Sequence, residues 1–343
     1  MEEECLSAAL RGVKVWGYDE VREELMRVYS EPVTLARSVR KKAVMRYLAR
    51  LDRMYEVLDG RVFNVLSKLP NPRGLNPFYA EVLAISGITD YATLYSRLRG
   101  FRKVVRKLWK QYRLRVKLAL TGREARDDLR EFVGRSLSIM RRLDKDLRRL
   151  ESAVSEIRKL PCIDFTSLKV VVAGMPQVGK STLVGRISTS KPEVSPFPFT
   201  TKNIVSGHVV FDHLKMQVFD TPGMLDRPIS ELNEIERRAL VAIKFLADVI
   251  IYMVDPRSSS YYPVEQQLDL LQSIKTMFAG RELVVAVNKI DEVDEARLND
   301  VCRRVSEISG GEPYRISALK GLGVDVLLDY LRNRARDFRS RSV

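Results

Sequence analysis

The sequence is poor in the residues from which most metal centres and hydrolytic triads are built. Of its 343 residues, 3 are cysteine and 2 are histidine. Cys5, Cys162 and Cys302 are scattered without metal-ligand spacing, which excludes a zinc finger and predicts reduced thiols in a cytoplasmic protein. His208 and His213 fall where two strands are predicted, and neither has the setting of a catalytic base. Apolar runs such as Ala247 to Val254 are far too short to span a bilayer. The acidic start, Met1-Glu2-Glu3-Glu4, lacks the shape of a secretory signal. One further absence is local: Tyr91 to Leu120 contains no acidic residue.

What the chain has is positive charge, unevenly spread. It carries 59 Lys and Arg against 44 Asp and Glu, a net charge of +15. Residues 1–168 hold 35 against 22, and residues 169–343 hold 24 against 22. The front half therefore has the balance of a domain that holds a polyanion.

The front half reads as helices. Ser30-Glu31-Pro32 has the form of a helix start, with Ser30 as cap and proline in the first turn. Leu35, Val39, Ala43, Leu48, Leu51, Tyr55 and Leu58 then recur at helical spacing. After the loop Leu69 to Asn76, a short helix is expected over Phe78 to Ser86. In Tyr91 to Leu120, Arg99, Arg102, Lys103, Arg106, Lys107, Lys110, Arg113 and Lys117 advance by threes and fours. Leu98, Phe101, Val105, Leu108 and Tyr112 do so on the opposite face. Like charges at that spacing cost about 0.2–0.5 kcal/mol per pair. With no acid interleaved, nucleic acid is the expected compensation, and the competing reading is a solvated bundle face. A membrane surface fits less well, because the apolar face is needed for the core and no lipidation motif is present. Arg123 to Val133 and Ser136 to Leu160 read as two more helices, completing an antiparallel bundle over residues 1–160. Residues 161–167 read as a linker.

The back half opens on LKVVVAGMPQVGKST, Leu168 to Thr182. A β-branched run breaks at Gly174 and closes on Gly179-Lys180-Ser181-Thr182 ahead of helix-forming sequence. Strand, glycine loop, helix is the context in which G-x-x-x-x-G-K-[ST] cradles phosphate. Gly174, Gln177, Val178, Gly179, Lys180, Ser181 and Thr182 line it; backbone N–H groups and the helix dipole face the anion. Lys180 is placed to reach the β- and γ-phosphates and Ser181 to bind Mg²⁺. Alternating strands and helices follow, predicting a doubly wound α/β domain whose ligands bind at the carboxyl ends of the strands. One strand ends in Asp220-Thr221-Pro222-Gly223, which puts Asp220 near Mg²⁺ and the Gly223 N–H near a γ-phosphate. Another ends in Asn288-Lys289-Ile290-Asp291. Guanine presents its ring N1–H and amino group as adjacent donors, and the Asp291 carboxylate can accept both; adenine lacks that pair. Asn288 braces the loop and touches the base, Lys289 covers its face, and the Ser317-Ala318-Leu319 segment offers backbone N–H to the guanine oxygen.

These stretches resemble the Obg-type translation-related GTPases and, within them, the nucleolar GTP-binding protein 1 family. The resemblance lies in DTPGMLDRPISELNEIERRAL and DVIIYMVDPRSSSYYPVEQQLDLL of the back half and in LPNPRGLNPFYAEVL and EFVGRSLSIMRRL of the front. It implies an N-terminal antiparallel helical bundle followed by a doubly wound P-loop GTPase domain over residues 168–338, with a short basic tail over 339–343. It also implies GTP and GDP as ligands, Mg²⁺ held by Ser181, Asp220 and Thr201, and Lys180, Thr201 and Gly223 as catalytic groups. Thr200 is the alternative to Thr201. The implied role is a switch in assembly of the large ribosomal subunit, with rRNA, the pre-subunit and other assembly factors as partners. Neither DNA nor stable membrane association is expected. The chain resembles the short archaeal form and a cytoplasmic location is expected. Two departures bear on mechanism. Met224 stands where many regulatory GTPases place a water-orienting glutamine. Gln177 stands where potassium-activated relatives place an asparagine, which counts against K⁺ as a cofactor. The other readings are a switch of an RNA-modification or membrane-associated complex, and a GTP-binding RNA scaffold that needs no turnover.

Overall fold

A computed structural model describes residues 5–36, 41–198, 202–211, 214–226 and 232–342. Its helices in the front half are α1 (Leu6–Ala9), α2 (Tyr18–Ser30), α3 (Lys42–Glu56), α4 (Val65–Lys68), α5 (Pro77–Ile85), α6 (Tyr91–Leu118) and α7 (Gly122–Lys159). The order then alternates: β1 (Leu168–Ala173), α8 (Lys180–Ile187), β2 (Glu193–Pro196), β3 (Asn203–Phe211), β4 (Leu214–Asp220), α9 (Glu234–Leu246) and β5 (Val249–Val254). It closes with α10 (Val264–Met277), β6 (Glu282–Val287), α11 (Glu295–Ser309), β7 (Tyr314–Arg315) and α12 (Val324–Ser342).

The chain divides into two compact units, one of residues 8–76 and 86–158, the other holding residues 77–85 and everything from Lys159 onward, with the start of the chain. In the helical unit α6 packs on α3. Asp90 caps α6, accepting the Thr93 N–H at 2.9 Å, and Leu94, Leu98, Val105, Tyr112 and Val116 are its buried face. The two helices expected after α6 are one: α7 runs 38 residues unbroken. Its apolar stripe passes through the expected break as Leu129, Phe132, Val133, Ser136 and Ile139, all buried. Gly134 faces open space there, so it costs helix propensity without ending the helix. Ser30 is a second correction. It is the last residue of α2, and Glu31 closes that helix with its N–H on Arg27 O at 3.1 Å. Pro32 follows a helix rather than opening one, Leu35 lies outside any helix, and Val39 lies outside the described residues.

The second unit is built on a seven-stranded sheet in the order β2-β3-β4-β1-β5-β6-β7. β4, β1, β5, β6 and β7 are mutually parallel, while at one edge β3 pairs antiparallel with β4 and β2 antiparallel with β3. All six residues of β1 are buried, as a strand covered on both faces requires. Ser195 and Pro196 form part of β2. Proline is tolerated there because β2 is an edge strand and Pro196 its last residue. α5, which the sequence division at residue 160 assigns to the bundle, packs here against α9. Tyr79 of α5 meets the Phe165 ring edge-on at 5.6 Å.

The expectation of reduced thiols is overturned for two cysteines. Cys5 and Cys162, separated by 157 residues, are disulfide-bonded, and Cys302 is free and buried. Folding brings the α-carbons of the pair to 5.7 Å, a proximity that sequence spacing does not reveal. The basic tail is also different from the expectation, since α12 continues through residues 339–342. No described helix is long and apolar enough to cross a membrane.

Candidate functional site

β1 lies where the strand order reverses, with β4 on one side and β5 on the other. The loops that follow β1, β4, β6 and β7 all leave from the carboxyl ends of parallel strands, so their motifs meet at one edge of the sheet. In the loop after β1, Gly179 has φ +105°, and a side chain there would collide with the Asn288 amide. The glycine is therefore required twice, for its backbone conformation and for the close approach of a second loop. Gln177 takes a left-handed φ of +66° and is exposed. Lys180 is buried, and its Nζ donates to the carbonyls of Gly174 at 2.7 Å and Met175 at 3.0 Å. Desolvation lowers its pKa, opposed by the charges of Asp220 and Asp226.

Ser181 Oγ donates to Asp220 Oδ2 at 2.5 Å. Asp220 is fully buried, and its other oxygen, Oδ1, has no hydrogen-bond partner in the structure. Burial pushes its carboxyl pKa up, with Ser181 and Lys180 opposing. A buried carboxylate oxygen without a partner beside a serine hydroxyl is the donor set of a hard divalent cation, so these residues fit Mg²⁺. Thr200 and Thr201 lie outside the described residues, as does the Arg227–Glu231 part of the loop after Gly223. Gly223 has φ +79° and its N–H donates to Asp226 Oδ2 at 2.7 Å. Met224 is buried.

Asn288 is buried and ties three loops. Its Nδ2 donates to Val178 O at 2.7 Å, and its Oδ1 accepts the Ala318 N–H at 2.8 Å. The Ala318 N–H, expected to meet the guanine oxygen, is thus taken by Asn288 here. Ser317 N–H is likewise taken, by Leu322 O at 2.9 Å, and Leu319 is exposed. Lys289, at φ +62°, stretches along the site with its Nζ on Gln177 O at 2.7 Å and on Asp255 Oδ2 at 2.8 Å. Asp291 pairs with Lys320 at 3.1 Å. The Ser317 hydroxyl holds its carboxyl below the usual range, which keeps it ionised and able to accept.

Some positioning groups were not legible in the sequence. Asp255 directly follows β5 and is buried; although burial opposes it, Arg257 and Lys289 hold its carboxyl below the ordinary value. Its place at the carboxyl end of a strand was the available signal. Arg186 of α8 donates to the carbonyls of Ala318 (3.1 Å) and Leu319. Nothing in the sequence points to that reach of more than 130 residues. Asp226 and Lys202 both lie against Gly223.

The predicted basic face of α6 is partly spent within the helical unit. Arg102 forms a two-pronged pair with Asp59 at 2.7 and 2.9 Å, and Arg113 pairs with Asp52 at 3.0 Å. The acids that offset them come from other elements, which the local sequence cannot show. Lys103, Lys107, Lys110 and Lys117 are exposed and form no ion pair with a described residue. Arg106 is exposed, as is Arg99, which lies 5.9 Å over Tyr95.

A phosphate loop opening a helix, a buried serine–aspartate pair that fits a cation and an Asn-Lys-x-Asp loop at the carboxyl end of β6 define a P-loop GTPase. The family model for nucleolar GTP-binding protein 1 matches residues 234–291, and the model for that family's N-terminal helical domain matches residues 17–164. The chain belongs to the nucleolar GTP-binding protein 1 family. An uncharacterized protein of Methanocaldococcus jannaschii is 36% identical over 71% of this chain and 68% of its own length. The nucleolar GTP-binding protein 1 of Encephalitozoon cuniculi is 28% identical over 84% of this chain and 56% of its own length. For the Drosophila melanogaster protein of that name the figures are 32%, 71% and 38%. The chain thus spans about half or less of these two named relatives.

Proposed function

We propose that the protein is a GTP-dependent switch in assembly of the large ribosomal subunit, holding rRNA through α6 and hydrolysing GTP slowly. The observation that carries the RNA reading is the row Lys103, Lys107, Lys110 and Lys117, exposed cations that no described acid neutralises. Arg99 and Arg106 extend it, whereas Arg102 and Arg113 serve the fold. The relatives' printed name gives them a nucleolar, GTP-binding character, and the charge of this chain supports a polyanionic partner here.

Hydrolysis is in-line attack of water on the γ-phosphorus. Lys180 leaves the carbonyls of Gly174 and Met175 for the phosphate oxygens, and loop N–H groups stabilise charge that develops there. Ser181 and Asp220 would hold Mg²⁺, which neutralises β- and γ-phosphate oxygens when bound. Thr201, with Thr200 as the alternative, is the expected sensor of the γ-phosphate. Buried Met224 offers no side chain to orient water. A rate on the order of 10⁻⁴ to 10⁻² per second follows for the isolated protein.

Crosslinking the protein to cellular RNA and sequencing the bound fragments tests this reading. Reads concentrated in large-subunit rRNA, lost when Lys103, Lys107 and Lys110 are changed to Glu, are expected. Reads spread over unrelated RNAs, or co-sedimentation with membranes in place of free large subunits, contradict it.

A further inference from the structure

On the GTPase reading the Gly223 N–H is the donor expected to meet a γ-phosphate, a group that GDP lacks. In this structure it is occupied by the chain itself, through Asp226 Oδ2 at 2.7 Å. The carboxylate is held there by its neighbours. Met224 and Leu225 are both buried, and Leu225 O accepts the Gly174 N–H at 3.1 Å, which ties this turn to the phosphate loop. The charge of Asp226 is felt at both Lys180 and Asp220, the two groups that face phosphate and cation. On its other side Gly223 is covered by Lys202, whose Cδ, Cε and Nζ come within 2.7–2.8 Å of where a β-carbon would stand. A carboxylate and an ammonium thus flank the γ-phosphate donor from within the chain.

We propose that Asp226 sets the preference between GTP and GDP by standing in for the γ-phosphate on the Gly223 N–H. The inference rests on the GTPase reading of this site and deepens it. GDP binds without disturbing the hydrogen bond. GTP must displace the carboxylate and accept its charge nearby, so part of the affinity for the third phosphate is spent on breaking a charge-assisted hydrogen bond. The ammonium of Lys202 is beside Gly223 in either case and can answer whichever anion holds the donor.

The test compares dissociation constants for GDP and for a non-hydrolysable GTP analogue, in wild type, Asp226→Asn and Asp226→Ala, with Mg²⁺ present. GDP affinity should stay within about twofold, which also reports that the variants fold. Affinity for the GTP analogue should rise about tenfold in Asp226→Ala and by less in Asp226→Asn, whose neutral amide oxygen can still accept the N–H. Equal change for both nucleotides, or weaker binding of the GTP analogue, overturns the proposal while leaving the GTPase reading intact. A fall in single-turnover hydrolysis with an unchanged affinity ratio also overturns it, since Asp226 would then orient water. Failure of the wild type to bind either nucleotide overturns both readings.

Discussion

Asn288 and Val178, 110 residues apart, are joined by a 2.7 Å hydrogen bond from a buried side-chain amide to a backbone carbonyl. That bond holds the loop after β6 against the loop after β1, and the second arm of the same amide group holds Ala318 at 2.8 Å. Asn288→Ala leaves a buried carbonyl and a buried N–H without partners, at a cost of about 1–3 kcal/mol for each group. We expect the melting temperature to fall, and GDP affinity to drop by about tenfold or more because the two loops lose their common brace. Calorimetry and nucleotide titration check both. Unchanged affinity would show that the loops need no tie.

Asp220 gives a prediction with a defined sign in pH. Burial raises its folded pKa above the unfolded value. Its contribution to stability is therefore fully present below the unfolded pKa and is lost as pH rises through the raised value. Without Mg²⁺ and nucleotide, Asp220→Asn should melt above wild type at neutral pH, with the gap closing in acid. A gain of 1 kcal/mol corresponds to about 2–4 °C. With Mg²⁺ and GDP the order should reverse, because the variant has lost a cation ligand. A variant that melts below wild type under both conditions contradicts the assignment.

The α6 cations should separate into two groups. Reversing Lys103, Lys107 and Lys110 is expected to weaken RNA binding, with little change in melting. The salt dependence of binding should flatten by about 0.7–0.9 for each phosphate that is no longer neutralised. Arg102→Ala should instead cost stability, since it strands Asp59, whose carboxyl Arg102 holds below its usual range against the pull of burial. Filter binding across a salt series, paired with thermal melts, distinguishes the groups. Equal RNA losses for both would mean that the Asp59 pair opens on binding.

The Cys5–Cys162 bond closes most of the front half of the chain into a loop. Reductant, or Cys5→Ser, should lower stability by about 2–5 kcal/mol. Equal melting of reduced and oxidised protein contradicts a structural role for the bond.

How far the sequence could be read depended on whether the deciding interaction was local. β1, β5 and β6 were visible as apolar runs, and β6 ends at Val287, immediately before the Asn288 motif. A fixed spacing was enough to put Gly179, Lys180 and Ser181 where a loop opens α8, and Asp220, Asn288 and Asp291 at or just after the carboxyl ends of β4 and β6. What stayed hidden depends on distant partners. Asp52 and Asp59 neutralise Arg113 and Arg102 from another helix, Arg186 reaches Ala318, and Cys5 finds Cys162. Ser30 and Pro32 were misread for a different reason. A serine and a proline are compatible with either side of a helix boundary, and only the α2 hydrogen bonds show that the helix ends there.

The most direct test of a guanine-specific, cation-dependent and weakly active site is hydrolysis by the isolated protein, with GTP and ATP compared with and without Mg²⁺. The account predicts GTP turnover on the order of 10⁻⁴ to 10⁻² per second, lost on chelation, and no ATP turnover above background. Equal hydrolysis of ATP, or GTP turnover of many per second without a partner, contradicts it.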